Sequence, residues 1–280
     1  MFRERVELKS REQVRAMRRA GLVVAAMLAE VRAAIRPGVT TAELDAIAAA
    51  HLDRAGALSN FRGYHGYPAT VCISVNEEIV HGIPGERRIR AGDVVSVDGG
   101  CSVPGPNGRR WHGDSAFTVV VEPAQAADAV LAAITEEALW AAIAALAGGD
   151  RLGVVGDAVE AVVREHGERG ARLSIVREYV GHGIGSQMHQ PPEVLNYSTR
   201  ERGPRLRPGM VLAVEPMLAG GSPANRTLAD GWTVVTSDGS HAAHWEHTVA
   251  LLPGGVHVLT AADGGAAGLA RHGLAPAPLD

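Results

Sequence analysis

The chain has 280 residues, 46% hydrophobic and 21% charged, with a formal net charge of −4. A chain of this size folds around its own apolar core without a disulfide or metal staple, and its slightly acidic balance offers no electrostatic footprint for nucleic acid or an anionic membrane. Its two cysteines, Cys72 and Cys101, build neither a disulfide framework nor a cysteine zinc site, and its single lysine, Lys9, sets aside imine chemistry.

The N-terminal stretch is charged and has no apolar run after it, so it does not read as a secretory signal. Residues 10–35 place Val14, Met17, Ala20, Val24, Met27, Leu28 and Val31 at three-and-four spacing. That predicts an amphipathic helix, capped by Ser10 and stopped at Pro37-Gly38. A second helix is expected from Thr41 to Ala55, closed by Gly56. Residues 69–75 and 93–97 read as short buried strands around the turn HGIPG, and 114–121 as a third. A second helix pair follows over 124–147 and 152–166, then strands at 174–178, 210–217, 231–236 and 245–252. The apolar run 128–147 carries Asp, Glu and Thr, so no stretch is expected to approach the ~20-residue span of a bilayer. Residues 261–280, rich in Gly, Ala and Pro, read as a loosely ordered tail behind one domain over 1–260. Helix, helix, strands, repeated, predicts an α+β fold of two similar halves, with helices outside a strongly curved sheet.

Acids stand in places where acids are costly. Asp98 ends the strand DVVSV, Asp114 opens DSAF, Glu215 lies inside VLAVEPM, and Glu246 sits in HWEHTVALL. An ionised carboxylate in a buried strand is unfavourable unless it is paired or bound to a cation. One such acid is most simply an edge position or half of a salt bridge. Four, in segments with few basic residues, point to bound cations. His182 and His189 lie in GHGIGSQMHQPPE, where glycines allow a tight turn and both imidazoles can face one cavity. No P-loop lysine or dinucleotide fingerprint accompanies these glycines. Two aspartates, two glutamates and an imidazole form a hard donor set suited to a pair of first-row divalent ions. Phe61, Tyr64 and Tyr67 fall within seven residues although aromatics make up only 4% of the chain.

From about residue 10 to residue 253 the sequence resembles the type I methionine aminopeptidases, whose pita-bread fold is shared with prolidase, aminopeptidase P and creatinase. The resemblance rests on GYHGYPATVCISVNEEIVHGIPG, GDVVSVD, HGDSAFTV, YVGHGIGSQMHQPPEVLNY, RPGMVLAVEPM, DGWTVVT and WEHTVAL. It implies two divalent ions (Co, Mn, Fe, Zn or Ni) held by Asp98, Asp114, His182, Glu215 and Glu246. Asp114 and Glu246 would bridge the two, Asp98 would bind one in bidentate fashion, and His182 with Glu215 would complete the other. A hydroxide activated by both ions would attack the first peptide bond, with Glu215 as general base and then acid. His189 would stabilise the oxyanion and His81 would contact the scissile amide. Tyr64, Tyr67, Cys72 and Trp232 would line the methionine pocket, with Phe61 close by and His65 and Met188 at its edge. Cys72 would be a small wall rather than a nucleophile.

The implied activity is removal of initiator methionine from nascent chains with a small second residue. It would be carried out at the ribosome in the cytoplasm, by a monomer with no specific nucleic-acid or membrane partner. Three features depart from the family's pattern. The 99–113 loop is longer, Met188 stands where an aromatic is usual, and His244 replaces a glutamine near the metals. The chain has no helical insertion between His189 and Glu215 and no zinc-binding N-terminal extension, which suggests a bacterial-style minimal enzyme. One alternative is an X-Pro aminopeptidase or prolidase relative, though the short stretch before the first helix leaves no room for the extra N-terminal domain of those enzymes. The other is a non-catalytic pita-bread binding protein, which loss of a ligand would favour.

Overall fold

The computed structural model describes residues 6–279. Helix α1 (Arg11–Ala34) starts at Ser10, whose Oγ accepts from Gln13 N at 3.3 Å while Ser10 N donates to Gln13 Oε1 at 2.8 Å. This reciprocal capping box satisfies two otherwise unpaired donors. Helix α2 (Thr41–Ala55) has the expected bounds, with Thr40 as its N-cap. Thr40 and Glu43 form its capping box, and the Thr41 hydroxyl instead donates to Gly85 O at 3.0 Å. Strands β1 (Leu58–Ser59), β2 (Cys72–Val75), β3 (Glu78–Val80), β4 (Val94–Pro104) and β5 (Arg110–Val120) follow. The second helix pair is α3 (Ala126–Gly148) and α4 (Val154–Glu168). After it come β6 (Ser174–Ile175), β7 (Gly181–Gly183), β8 (Gln190–Val194), β9 (Val211–Val214), β10 (Met217–Ala219) and β11 (Asn225–Thr227). The chain closes with β12 (Val234–Thr236), β13 (Ala242–His244), β14 (Glu246–Leu252), β15 (Gly255–Val258) and α5 (Ala266–Ala270).

Among the described residues, nine strands form one antiparallel sheet in the order β1-β4-β5-β14-β9-β7-β8, with β2 on β4 and β15 on β14. The sheet therefore runs through both halves. Successive strand residues face opposite sides, and the two sides have separate tasks. Val95, Val97, Cys101 and Val103 of β4 and Phe117 of β5 pack with Val24, Met27 and Leu28 of α1. In the second half, Leu131, Leu139 and Ile143 of α3 and Val155 and Val159 of α4 pack on Leu212, Val214, Val249 and Leu251. The alternate positions are left for the site.

Three expectations are corrected. The 99–113 segment, read as a loop, is mostly strand, since β4 and β5 stay in register along their full length from Val94↔Val120 to Pro104↔Arg110. Cys101 and Trp111 are buried beneath α1, so only the tip is on the surface. The tail is not loose. Helix α5 buries Leu269, Gly268 lies against the Trp140 ring, and Ala277 N donates to Val256 O at 2.8 Å. Small residues in close contact leave no periodic signal, which is why the sequence was silent here. Finally, α3 is long and apolar enough to cross a membrane, contrary to the expectation for 128–147, and 56% of that span is buried as a core helix.

Helix α1 crosses the sheet at unusually close range. A Cβ at Gly21 would lie 2.2 Å from Leu259 O, and one at Gly113 would lie 2.9 Å from Gly21 N. Two glycines thus let α1 rest on the strand that carries Asp114. Gly21→Ala is expected to destabilise the protein by at least about 1–3 kcal/mol, the overpacking range, as measured by urea denaturation, and an unchanged midpoint would refute the close-contact account.

Candidate metal centre

Strand register gathers the acids. Asp98 pairs with Ala116 on one side, and Ala116 pairs with Glu246 on the other, so both acids flank a small residue on one face. Asp114 is two residues before Ala116 and shares that face. His182 and Thr248 both pair with Ala213, and Glu215 lies two residues beyond Ala213, just past the end of β9. Four strands, β4, β5, β7 and β14, carry one donor each, and the residue just past β9 supplies the fifth; all five line one cavity of about 140 Å³, lined also by Phe61, Tyr64, Tyr67, Cys72, His81, Met188, His189 and Trp232. Ligand atoms of Asp114, His182 and Glu246 lie within 4.8 Å of one another. A larger groove past Arg151, Arg205 and Arg207 contains none of the acids.

Each of the four carboxylates has a buried oxygen without a hydrogen-bond partner: Asp98 Oδ1, Asp114 Oδ1, Glu215 Oε1 and Glu246 Oε1. Burial pushes the Asp98 carboxyl up to about 7, and burial with mutual repulsion raises Asp114, Glu215 and Glu246 well above the carboxylate range. His182 Nδ1 is 3.0 Å from Gly183 O, which fixes the tautomer that donates there and leaves the Nε2 lone pair 3.4 Å from Glu215 Oε1. Burial lowers the His182 pKa to about 3, so the ring is a neutral donor. Orphaned oxygens, a neutral imidazole and no facing Lys or Arg among the cavity residues fit divalent cations.

Around this floor sit the remaining candidates. His189 Nδ1 is 2.8 Å from Tyr64 Oη, and its ring centroid is 4.3 Å from that of His182. His81 adopts φ +61°, a strained conformation for a non-glycine, and its ring stacks edge-on against Tyr179 at 5.5 Å. Burial lowers its pKa to about 4. Tyr67 Oη donates to Val71 O and Gly82 O, which turns its ring toward Trp232 at 5.1 Å and Phe61 at 6.4 Å. Met188 and Cys72 are buried in the same apolar cluster, and burial beside Asp98 raises the Cys72 thiol well above its usual value. His65 is exposed beside Tyr64 and outside the cavity lining.

His244 stands behind the site. Its Nε2 is 3.9 Å from Glu215 Oε2, and its backbone is bonded on both sides to the Thr118 hydroxyl. Three other residues went unnoticed in the sequence. Tyr179 sits in the motif YVGHGIG without a period to mark it. His112 Nδ1 is 2.7 Å from Asn60 Oδ1. His112 shares the face of Asp114 by strand alternation, a signal that was available in the spacing HGD.

Comparison with known proteins adds four findings. The model of metallopeptidase family M24 matches residues 15–252. Methionine aminopeptidase 1 of Bacillus subtilis is 43% identical over 252 residues, which cover 90% of this chain and 98% of the relative. A methionine aminopeptidase structure from Thermotoga maritima superposes with a TM-score of 0.85 at 36% identity, over 91% of this chain and 99% of that one. A prolidase from Pyrococcus furiosus shares the fold at 20% identity and a TM-score of 0.69, over 91% of this chain and 65% of that one.

The shifts give a pH dependence with a definite sign. His81, His112, His182, His244 and His247 are lowered by burial to about 3 or 4, so their contribution to stability is lost as pH falls below about 6.5. Above that they are neutral folded or unfolded. The raised carboxylates then dominate, because the folded protein holds protons that the unfolded chain has released. Metal-free protein is expected to lose stability in urea between about pH 6.5 and 8, and saturating Mn(II) is expected to abolish the slope. A chelated protein that is equally stable across this window would contradict the assignment.

Proposed function

The chain belongs to metallopeptidase family M24, with its pita-bread fold, and we infer from its methionine aminopeptidase relatives that it removes N-terminal methionine from polypeptides. The finer reading is a dinuclear enzyme acting in the cytoplasm on nascent chains at the ribosome, as a monomer, when the second residue is small. The observation that carries it is the set of four orphaned carboxylate oxygens facing one cavity. Asp98, Asp114, His182, Glu215 and Glu246 would hold two divalent ions drawn from Co, Mn, Fe, Zn or Ni. When bound, the ions supply the Lewis acidity that makes a nucleophilic hydroxide available at neutral pH.

The protein's own groups do the rest. Glu215 is buried and raised in pKa, which suits a carboxyl that takes a proton from the nucleophile and returns it to the leaving amine. We assign Tyr64 as the donor to His189 Nδ1, 2.8 Å away, which places the His189 proton on Nε2, ready to bond the oxygen of the scissile carbonyl as negative charge develops there. His81, neutral and held by Tyr179, is placed to contact the scissile amide. Phe61, Tyr64, Tyr67, Cys72, Met188 and Trp232 form a wall suited to an unbranched thioether, which packs well on aromatic edges. His65 at the rim would meet the substrate only where it leaves the cavity.

Metal-free protein reloaded with Mn, Co, Fe, Zn or Ni and given Met-Ala-Ser is expected to release methionine, whereas X-Pro dipeptides remain intact. No release with any metal would refute the reading. Glu215→Gln is expected to lower kcat by about 10²–10⁴, and His189→Ala by about 10²–10³, with Mn(II) still bound in the His189 variant. Full activity in either variant would refute the role given to that residue.

A further inference from the structure

The segment 184–190, the loop joining β7 to β8 together with the first residue of β8, carries Met188 and His189 into the cavity, yet its backbone is sparsely held. Among the described residues, the loop's own bond is Gly185 N to Gln187 O at 3.0 Å, and its backbone anchors are Ile184 N to Val211 O, His112 N to Gly185 O and a bond between the Met188 backbone and the His182 ring. Its outer side is gripped by residues that precede α1. Glu7 Oε1 accepts from Ser186 Oγ at 2.8 Å, and Glu7 Oε2 accepts from Ser186 N at 3.2 Å. Lys9 Nζ donates to Gln190 Oε1 at 3.2 Å and to Glu7 O at 3.1 Å, and lies 3.5 Å from Glu7 Oε2. Gln190 Nε2 closes the ring onto Ser186 Oγ at 3.2 Å, while Lys9 N donates to Gly209 O at 2.7 Å.

The Lys9 side chain is 1% exposed, an unusual state for a lysine. It is admitted because position 185 is glycine. A Cβ there would lie 2.2 Å from Lys9 Cε and 2.4 Å from Glu7 Oε2. Burying an ammonium is unfavourable unless its hydrogen bonds are satisfied, and here Glu7 and Gln190 together satisfy them. Glu7 and Lys9 themselves touch none of the five candidate metal ligands.

Resting on the aminopeptidase reading above, we propose that Glu7 and Lys9 are positioning residues that strap the 184–190 loop in place, so that Met188 and His189 meet the substrate in register. The strap acts on substrate binding and on transition-state contact, and leaves ion binding alone. It also gives the chain's single lysine a task that imine chemistry does not require.

Three variants test this: Lys9→Met, Ser186→Ala, and Gly185→Ala, which expels Lys9 while leaving Glu7 and Lys9 unchanged in sequence. The first readout is hydrogen exchange of the 184–190 peptide, expected to quicken in all three while that of α1 and α3 does not. The second is acylation of Lys9, resolved by peptide mass spectrometry, expected to be slow in the wild type and at least about tenfold faster in Gly185→Ala, the equivalent of one lost charge-assisted hydrogen bond. The third is kinetics on Met-Ala-Ser with Mn(II), expected to show kcat/KM about tenfold lower, with KM raised and Mn(II) affinity unchanged. Wild-type exchange and kinetics in every variant would overturn the proposal. So would a loss of Mn(II) affinity that parallels the loss of rate, since the effect would then lie at the ions. A wild-type protein that releases no methionine with any metal would sink the function, and the exchange and acylation rates would still decide whether the strap exists.

Discussion

Four carboxylates share one buried cavity with no cationic side chain to neutralise them. This is a costly arrangement, and most other features can be read as accommodating it. Like charges at such range cannot all remain ionised in a low-dielectric setting, so the site holds either protons or metal ions. Protonated, it is inert chemistry inside a stable protein. With cations, it becomes a place where a hydroxide can exist at neutral pH.

The sheet exists in the form that holds this unfavourable cluster rigid. Four strands contribute one donor each and the end of β9 leads to the fifth, and Ala116 and Ala213 between them keep the centre of the face clear. The opposite face provides the stability: the two helix pairs bury the alternate apolar residues, and Gly21 against Gly113 lets α1 lie directly on the strand of Asp114. Thr248 and Asp114 are also locked together, with Asp114 N donating to Thr248 Oγ1 at 3.0 Å and Thr248 Oγ1 donating to Asp114 O at 2.8 Å. A donor held by main-chain and hydroxyl bonds does not swing away to solvent. The histidines follow the same logic, since Gly183 O orients His182 and Tyr64 orients His189.

Much of this was legible in the sequence because it is local or periodic. Ser10 and Gly56 mark helix ends by backbone chemistry, and the three-and-four spacing of α1 needs no partner to be seen. The acids were visible because each interrupts an apolar strand. What escaped depends on contacts between distant segments. Strand β7 is Gly-His-Gly, with no β-forming residue, and it is a strand because β8 and β9 flank it. The tail is ordered by Trp140 and β15, about which its own residues carry no signal. Lys9 looked like one more surface charge in a polar stretch, and only Gly185, far away in sequence, makes room for it. His112 could have been found by counting two residues back from Asp114.

The central claim is that the cluster exchanges protons for cations, and calorimetry tests it directly. Metal-free protein at pH 7 would be titrated with Mn(II) in buffers of different ionisation enthalpy, which counts ions bound and protons released together. The account predicts two ions per chain, with proton release that shrinks as the starting pH is raised. Binding of Mn(II) with no proton release at pH 7, or no binding at all, would contradict it.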